Sequence, residues 1–174
     1  MAEGDGKTVL VTGGSGYLAG WCIVQLIQRG YRVRTTIRNP AREPEVHDAV
    51  ASQVDPAHHL TIHQADLTSD EHWDNVIEGC DYVLHVASPF PPNQPKDPDE
   101  LIRPAREGTV RVLGKALDHG VKRIVVTSSI AAVRLAKGSD KEVLDEDDWT
   151  DPSDESLTPY VRSKAIAERA AWDL

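Results

Sequence analysis

With 174 residues, the chain suits one domain of ordinary size with a buried core. Its 40% hydrophobic and 27% charged residues describe a soluble globular balance. A net charge of −9 argues against nucleic acid or an anionic membrane surface as the main partner, so an anionic ligand would have to be met by local positive charge. No apolar run approaches a bilayer span, and residues 1–7 carry no apolar stretch of the secretory kind. Cys22 and Cys80 lie in apolar surroundings without metal-type spacing, which reads as two reduced thiols in a cytoplasmic protein.

Hydrophobic runs and amphipathic stretches then alternate along the chain. Residues 7–12 form a short β run, followed by a glycine turn and a helix over 18–29 that Gly30 stops. A second strand over 32–37 ends before Pro40, a modest helix covers 45–54, and 60–63 is a third strand. Ser69 is placed to cap a helix running to Glu78, which Gly79 closes. A fourth strand over 82–86 leads into the proline-rich loop 89–98. A long helix follows from about Pro104 to His119, and a fifth strand covers 121–127. The polar, acidic stretch 137–158 reads as an exposed loop, with 160–174 as a final helix. Strands separated by helices imply right-handed βαβ units and a parallel sheet. The expected fold is an α/β, Rossmann-type doubly wound sheet of order 3-2-1-4-5 over residues 1–174. Its ligand crevice belongs at the carboxyl ends of strands 1 and 4. The chain stops inside the final helix pattern without a cap, which reads as truncation.

The glycine turn is the first chemical signal. In Thr12-Gly13-Gly14-Ser15-Gly16-Tyr17-Leu18-Ala19, Gly13 permits a tight turn and Gly16 lets backbone approach a pyrophosphate. The helix N-terminus beyond offers unpaired N–H groups and partial positive charge. Ala19 is the small residue where the helix must lie close to the sheet. At the end of strand 2, an NAD site would place a carboxylate for the ribose 2′-hydroxyl, about 20 residues after the glycines. Here Thr36-Ile37-Arg38-Asn39 holds none, and Arg38 instead suits a 2′-phosphate through its planar fork. NADP(H) is therefore expected over NAD. Asp66 either accepts from an adenine amino group or caps the residues from Thr68 onward.

The second signal is Tyr160 with Lys164. A spacing of four puts both on one helical face, and the ammonium favours the phenolate form of a group whose free pKa is about 10. Tyr160 then suits a general acid in reduction and a general base in oxidation. Thr127-Ser128-Ser129 falls at the carboxyl end of strand 5, where a serine hydroxyl can hold a substrate oxygen. His47, His58, His59 and His63 lack partners at metal spacing, so no metal is expected. Trp21, Trp73, Trp149 and Trp172 read as packing residues.

Together these segments resemble the extended short-chain dehydrogenase/reductases, and within them the dihydroflavonol reductase and cinnamoyl-CoA reductase-like group. Val11 to Ala19, Arg32 to Pro40, Gln64-Ala65-Asp66-Leu67, His85-Val86-Ala87-Ser88-Pro89, Thr127-Ser128-Ser129 and Tyr160-Val161-Arg162-Ser163-Lys164, running on into Ala167-Glu168-Arg169-Ala170-Ala171-Trp172, carry the resemblance. It implies a catalytic Ser129, Tyr160 and Lys164, NADP(H), and a small-molecule carbonyl substrate. The cofactor-binding set is then Gly13, Ser15, Gly16, Tyr17, Leu18, Arg38, Asp66, Leu67, Ala87, Ser88, Thr127, Tyr160 and Lys164. Ala87 and Ser88 fall beside the nicotinamide ribose. Glu107 stands where many extended members carry asparagine, so no fourth catalytic residue is implied. Family members continue past the Tyr–Lys helix into a smaller substrate-binding portion absent from this sequence. The expected function is NADPH-dependent reduction of an aldehyde, ketone or acyl carbonyl by a monomer or homodimer, without nucleic acid or membrane. The alternatives are a nucleotide-sugar epimerase/dehydratase and a non-catalytic NADP(H)-binding fragment.

Overall fold

The computed structural model describes residues 3, 4, 6–91, 93, 95–134 and 141–174. The expected loop positions 92, 94 and 137–140 lie outside the described residues. The chain divides into two compact units, one of residues 1–87 and 114–127, the other of residues 88–113 and 128–174.

The first unit is a five-stranded sheet, β1 (Thr8–Val11), β2 (Arg32–Ile37), β3 (Leu60–Gln64), β4 (Tyr82–His85) and β5 (Arg123–Val126), in the order β3-β2-β1-β4-β5. Every pairing is parallel, with Val9 opposite both Val33 and Tyr82, as the strand–helix alternation required. Strands so shielded need apolar residues on both faces, and Val9, Leu10 and Val11 are at most 1% exposed. Helix α1 (Tyr17–Gln28) buries Ala19, Ile23, Val24 and Ile27, the stripe that a 3.6-residue period presents to a sheet. These join Val9, Val11, Val33 and Val50 of helix α2 (Glu43–Ala51) in one core. Cutting such a buried aliphatic back to alanine costs about 2–5 kcal/mol. Gly30, Gly79 and Gly120 all have positive φ, as residues closing a helix do.

Thr12, completely buried, ties β1 to the chain leaving β4. Its Oγ1 accepts the N–H groups of Val86 and Ala87, each at 3.0 Å, and lies 3.0 Å from His85 Nδ1. With both lone pairs used, the Thr12 hydroxyl keeps one hydrogen, and Nδ1 is the acceptor within its reach.

Two helices differ most from their expected bounds. Helix α3 is only Trp73–Ile77, because His72 takes a left-handed φ of 71° before it and Ser69 Oγ caps Glu71 N instead. Trp73 Nε1 donates to the carbonyls of Asp66 and Ser69, which fixes this irregular entry. Helix α4 is Asp99–Asp118, with Pro104 inside it rather than at its start. Proline removes one helical hydrogen bond, but the extension buries Leu101, Ile102 and Ala105. Asp97 Oδ1 caps its first turn by accepting from Asp99 N.

The second unit holds the first part of α4, a 3-10 turn at Ile130–Ala132, and helix α5 (Pro159–Trp172). Thr158 caps α5 by accepting from Val161 N, with Pro159 at the first helical position. The described part of the acidic stretch, residues 141–158, has neither helix nor strand and is mostly exposed. It is still tied down: Thr150, 1% exposed, donates through Oγ1 to Ala131 O at 2.7 Å. Arg162 Nε donates to Pro152 O at 2.8 Å, and Arg169 lies over the Trp149 ring. Of the tryptophans, Trp73 is core at 1% exposure, while Trp172 is 76% exposed.

Candidate active site

The candidate groups fall into two sets, one in each unit. In the first unit, the turn after β1 is built from main chain. Gly13 has φ +77°, and a Cβ there would meet Ala87 Cβ at 3.0 Å and Cα at 3.2 Å. Its N–H donates to Thr36 Oγ1 at 3.0 Å, and Gly14 N donates to Thr36 O at 2.8 Å. The glycine at 13 thus serves both a left-handed turn and a close approach to Ala87.

Gly14 is equally obligatory, since a side chain there would collide with Thr35, whose hydroxyl donates to Val11 O. Sequence reasoning missed it, because only the register of β2 beside β1 brings Thr35 there. Gly16 caps α1 in extended backbone, and its N–H donates to Gly13 O. Among the described residues, the N–H groups of Ser15, Tyr17 and Leu18 meet no acceptor, while Tyr17 and Leu18 are 86% and 49% exposed. These are the spare donors of a helix N-terminus, the natural contacts of an anion.

Arg38 directly follows β2, exposed and without a hydrogen bond or ion pair among the described residues. Nearby Arg42 is instead paired with Glu45 through two bonds of 2.8 and 2.6 Å. Asp66 Oδ1 accepts from both Thr68 N and Thr68 Oγ1, at 2.9 and 2.8 Å, so the local capping role is realised. Leu67 follows it, partly buried, and Thr127 N donates to His85 O at the end of β5.

In the second unit, α5 supplies the side chains. Tyr160 is partly buried, and Lys164 Nζ lies 5.6 Å from the centre of its ring. Lys164 is only 9% exposed and donates to Ser88 Oγ at 2.9 Å. Burial pushes its pKa below the ordinary lysine value of 10.5. A buried ammonium with a single hydroxyl acceptor retains two N–H donors that a further hydroxyl-bearing ligand would satisfy.

Phe90 stands edge-on to Tyr160, with ring centres 5.3 Å apart. Ser129 Oγ accepts from Ala131 N at 3.1 Å as the cap of the 3-10 turn, leaving its own hydrogen free to donate. Ser128 Oγ donates to Glu168. Ser128, Ser129, Tyr160 and Glu168 share a cleft of about 1050 Å³ with the apolar side chains of Ile130, Val133 and Leu144. Ser129 and Tyr160, predicted from sequence, therefore open onto one space, and Lys164 sits behind the phenol.

The profile of the NAD dependent epimerase/dehydratase family matches residues 9–174. The chain belongs to this family. Within it, the chain is 39% identical over 176 aligned positions to cinnamoyl-CoA reductase 1 of Arabidopsis thaliana, covering 99% of the chain and 49% of that protein. It is 37% identical to dihydroflavonol 4-reductase of the same plant, over 96% of the chain and 45% of that protein. Among solved structures, it superposes with TM-score 0.82 and 31% identity on Gre2 of Candida albicans, crystallised in complex with NADPH. That match covers 96% of this chain and 52% of Gre2. The chain thus spans about half the length of the relatives it matches, and its identity to these reductases bears out the resemblance to the reductase group of this family. No helix among the described residues is long and apolar enough to cross a membrane.

Proposed function

We propose that the chain is the nucleotide-binding and proton-donating part of an NADPH-dependent reductase that converts an aldehyde or ketone to the alcohol, or an acyl thioester to the aldehyde with release of the thiol. The observation that carries this reading is the second unit's cleft, where Ser129 and Tyr160 both face one space with Lys164 buried against the phenol ring. The unpartnered donors of Ser15, Tyr17 and Leu18 suit a diphosphate, and the unpaired Arg38 suits a 2′-phosphate. When bound, NADPH supplies the hydride. The protein's own part is the proton. Tyr160 Oη delivers it to the carbonyl oxygen as negative charge grows there, and the Ser129 hydroxyl donates a hydrogen bond to the same oxygen. Lys164 holds the phenol's surroundings positive and offers its remaining N–H donors to ribose hydroxyls. Asp66, Leu67, Ala87, Ser88 and Thr127 complete the proposed cofactor contacts. The family also holds epimerases and dehydratases, but an acidic residue for NAD is lacking after β2, where Arg38 stands. Two free cysteines and the small carbonyl chemistry fit a cytoplasmic enzyme, acting as monomer or homodimer.

The test uses the full-length protein, with NADPH and NADH titrated separately and a panel of aldehydes, ketones and acyl-CoA thioesters that includes isovaleraldehyde and cinnamoyl-CoA. NADPH should bind more tightly, and Arg38→Ala should remove one to two decades of that affinity, the worth of a charge-assisted bidentate contact of about 1.5–3 kcal/mol. Equal affinity of the wild type for both cofactors would sink the cofactor assignment. Absence of carbonyl-dependent NADPH oxidation across the panel would sink the reductase reading.

A further inference from the structure

Helix α5 carries a third inward-facing group that the reductase reading leaves unused. Tyr160, Lys164 and Glu168 recur every four residues, so they lie along one face of the helix. Each of the lower two reaches a serine far away in sequence: Lys164 donates to Ser88, and Glu168 accepts from Ser128. Glu168 has no ion pair among the described residues, so its carboxylate is committed to that hydroxyl. A hydroxyl-to-carboxylate bond is charge-assisted and roughly twice as strong as a neutral one.

We propose that Glu168 is a positioning residue that holds the Ser129 hydroxyl in the cleft by anchoring its neighbour Ser128 to α5. This rests on the proposed reductase chemistry of Ser129 and Tyr160. A single peptide unit separates Ser128 from Ser129, so whatever fixes one fixes the other. On its far side, Ser129 is already held. Its Oγ caps the 3-10 turn, and that turn is fastened by Thr150, whose Oγ1 and N donate to Ala131 O and Ala132 O at 2.7 and 2.9 Å. On its near side, the Ser128–Glu168 bond is the side-chain anchor. Because Glu168 is two helical turns from Tyr160 on the same helix, the bond also relates the serine to the phenol, the two groups that must meet one carbonyl oxygen. The same contact explains why the second serine, not the first, is free for substrate: the first has spent its proton on Glu168.

The full-length protein, assayed with NADPH and the fastest carbonyl of the panel above, tests this. Glu168→Ala should lower kcat by roughly 10- to 100-fold, the scale of a misplaced catalytic group, with NADPH affinity unchanged. Glu168→Gln should recover most of the loss, since its amide oxygen accepts the same hydroxyl. Ser128→Ala should repeat the Glu168→Ala defect from the other side, and it removes too little to threaten folding. The double variant should be no worse than either single one, because both delete the same bond. Multiplying defects in the double variant would overturn the proposal. So would a Glu168→Gln as slow as Glu168→Ala, or a Ser128→Ala with wild-type kcat. Tyr160→Phe is assayed in parallel. If that variant is as fast as wild type, the underlying reading fails; if it is inactive while Glu168→Ala is not impaired, only the positioning role fails.

Discussion

The two units hold their functional groups by opposite means. In the first, the glycine turn presents main-chain N–H groups, and the side chains around it serve the backbone: Thr36 accepts from Gly13, and Thr35 fills the space that Gly14 leaves. In the second, the backbone is ordinary helix and the side chains do the presenting, as Lys164 and Glu168 bind serines 76 and 40 residues away. A site made of backbone is damaged chiefly by adding atoms, because every substitution except one to proline leaves the peptide N–H and carbonyl in place. A site made of side chains is damaged by removing them, often a single atom at a time. The comparison teaches where each unit is fragile.

The sharpest break is one atom in the second unit. Tyr160→Phe keeps the edge-on packing with Phe90 and deletes the phenol oxygen. Turnover of the full-length protein should fall by about 10²–10⁴-fold, the usual worth of a general acid, with NADPH affinity near normal. Stopped-flow or steady-state kinetics beside a binding titration reads both. A wild-type rate would remove Tyr160 from the chemistry.

Adding atoms to the first unit is the next largest effect. Gly13→Val forces a β-branched residue to φ +77° and drives its Cβ to 3.0 Å from that of Ala87. NADPH affinity should fall by at least tenfold, while circular dichroism retains the helix and sheet signal, since a left-handed residue costs only about 1–2 kcal/mol. Undiminished affinity in a folded variant would mean that the turn is a connector and that the contrast between the units is empty.

The smallest effect concerns the buried charge, and its sign follows from burial. The Lys164 pKa is lowered in the folded protein, so between that value and 10.5 the unfolded chain binds the proton more than the native one does. Wild-type stability should therefore gain on Lys164→Met as pH rises from neutral toward 10.5, and lose that gain as pH falls back through the folded pKa. At this chain length a change of roughly 2–4 °C corresponds to about 1 kcal/mol, which thermal unfolding at several pH values resolves. A pH-independent difference between the two proteins would show that the ammonium is not desolvated.

How much of this was legible in the sequence depended on how local each cause is. The parallel sheet followed from alternation and its order from the doubly wound nucleotide-binding pattern, and β2 was read to the residue because Arg32 and Pro40 bracket an uninterrupted β run. The start of α4 was misplaced because proline is a good first residue of a helix, and nothing local reveals that Leu101 and Ile102 find a core to bury in. Helix α3 shrank for a similar reason, since the Trp73 indole reaches back to two carbonyls and bends the chain before it. At the site, Tyr160 with Lys164 was visible as a spacing, and Arg38 as a base where an acid belongs. Gly14 and Glu168 stand within the motifs, but no role for either was legible, because their reasons, Thr35 and Ser128, lie 21 and 40 positions away. Short-range patterns are written in the sequence, whereas partners supplied by a crossover become readable only once the register is known.

The hydroxyl of Thr12 shows how strictly such a partner can choose a residue. It must accept two amides, from Val86 and Ala87, and give its one hydrogen to His85, and its surroundings leave no water to make up a shortfall. Valine would match its shape and strand all three neighbours. Serine would satisfy the three bonds and leave a methyl-sized hole. Asparagine would supply an acceptor and a donor, but too far from the backbone to serve two consecutive amides. The position before the glycine turn is thus settled by valence rather than by conformational freedom. Its three bonds admit a threonine because every lone pair and every hydrogen on that oxygen is already spoken for.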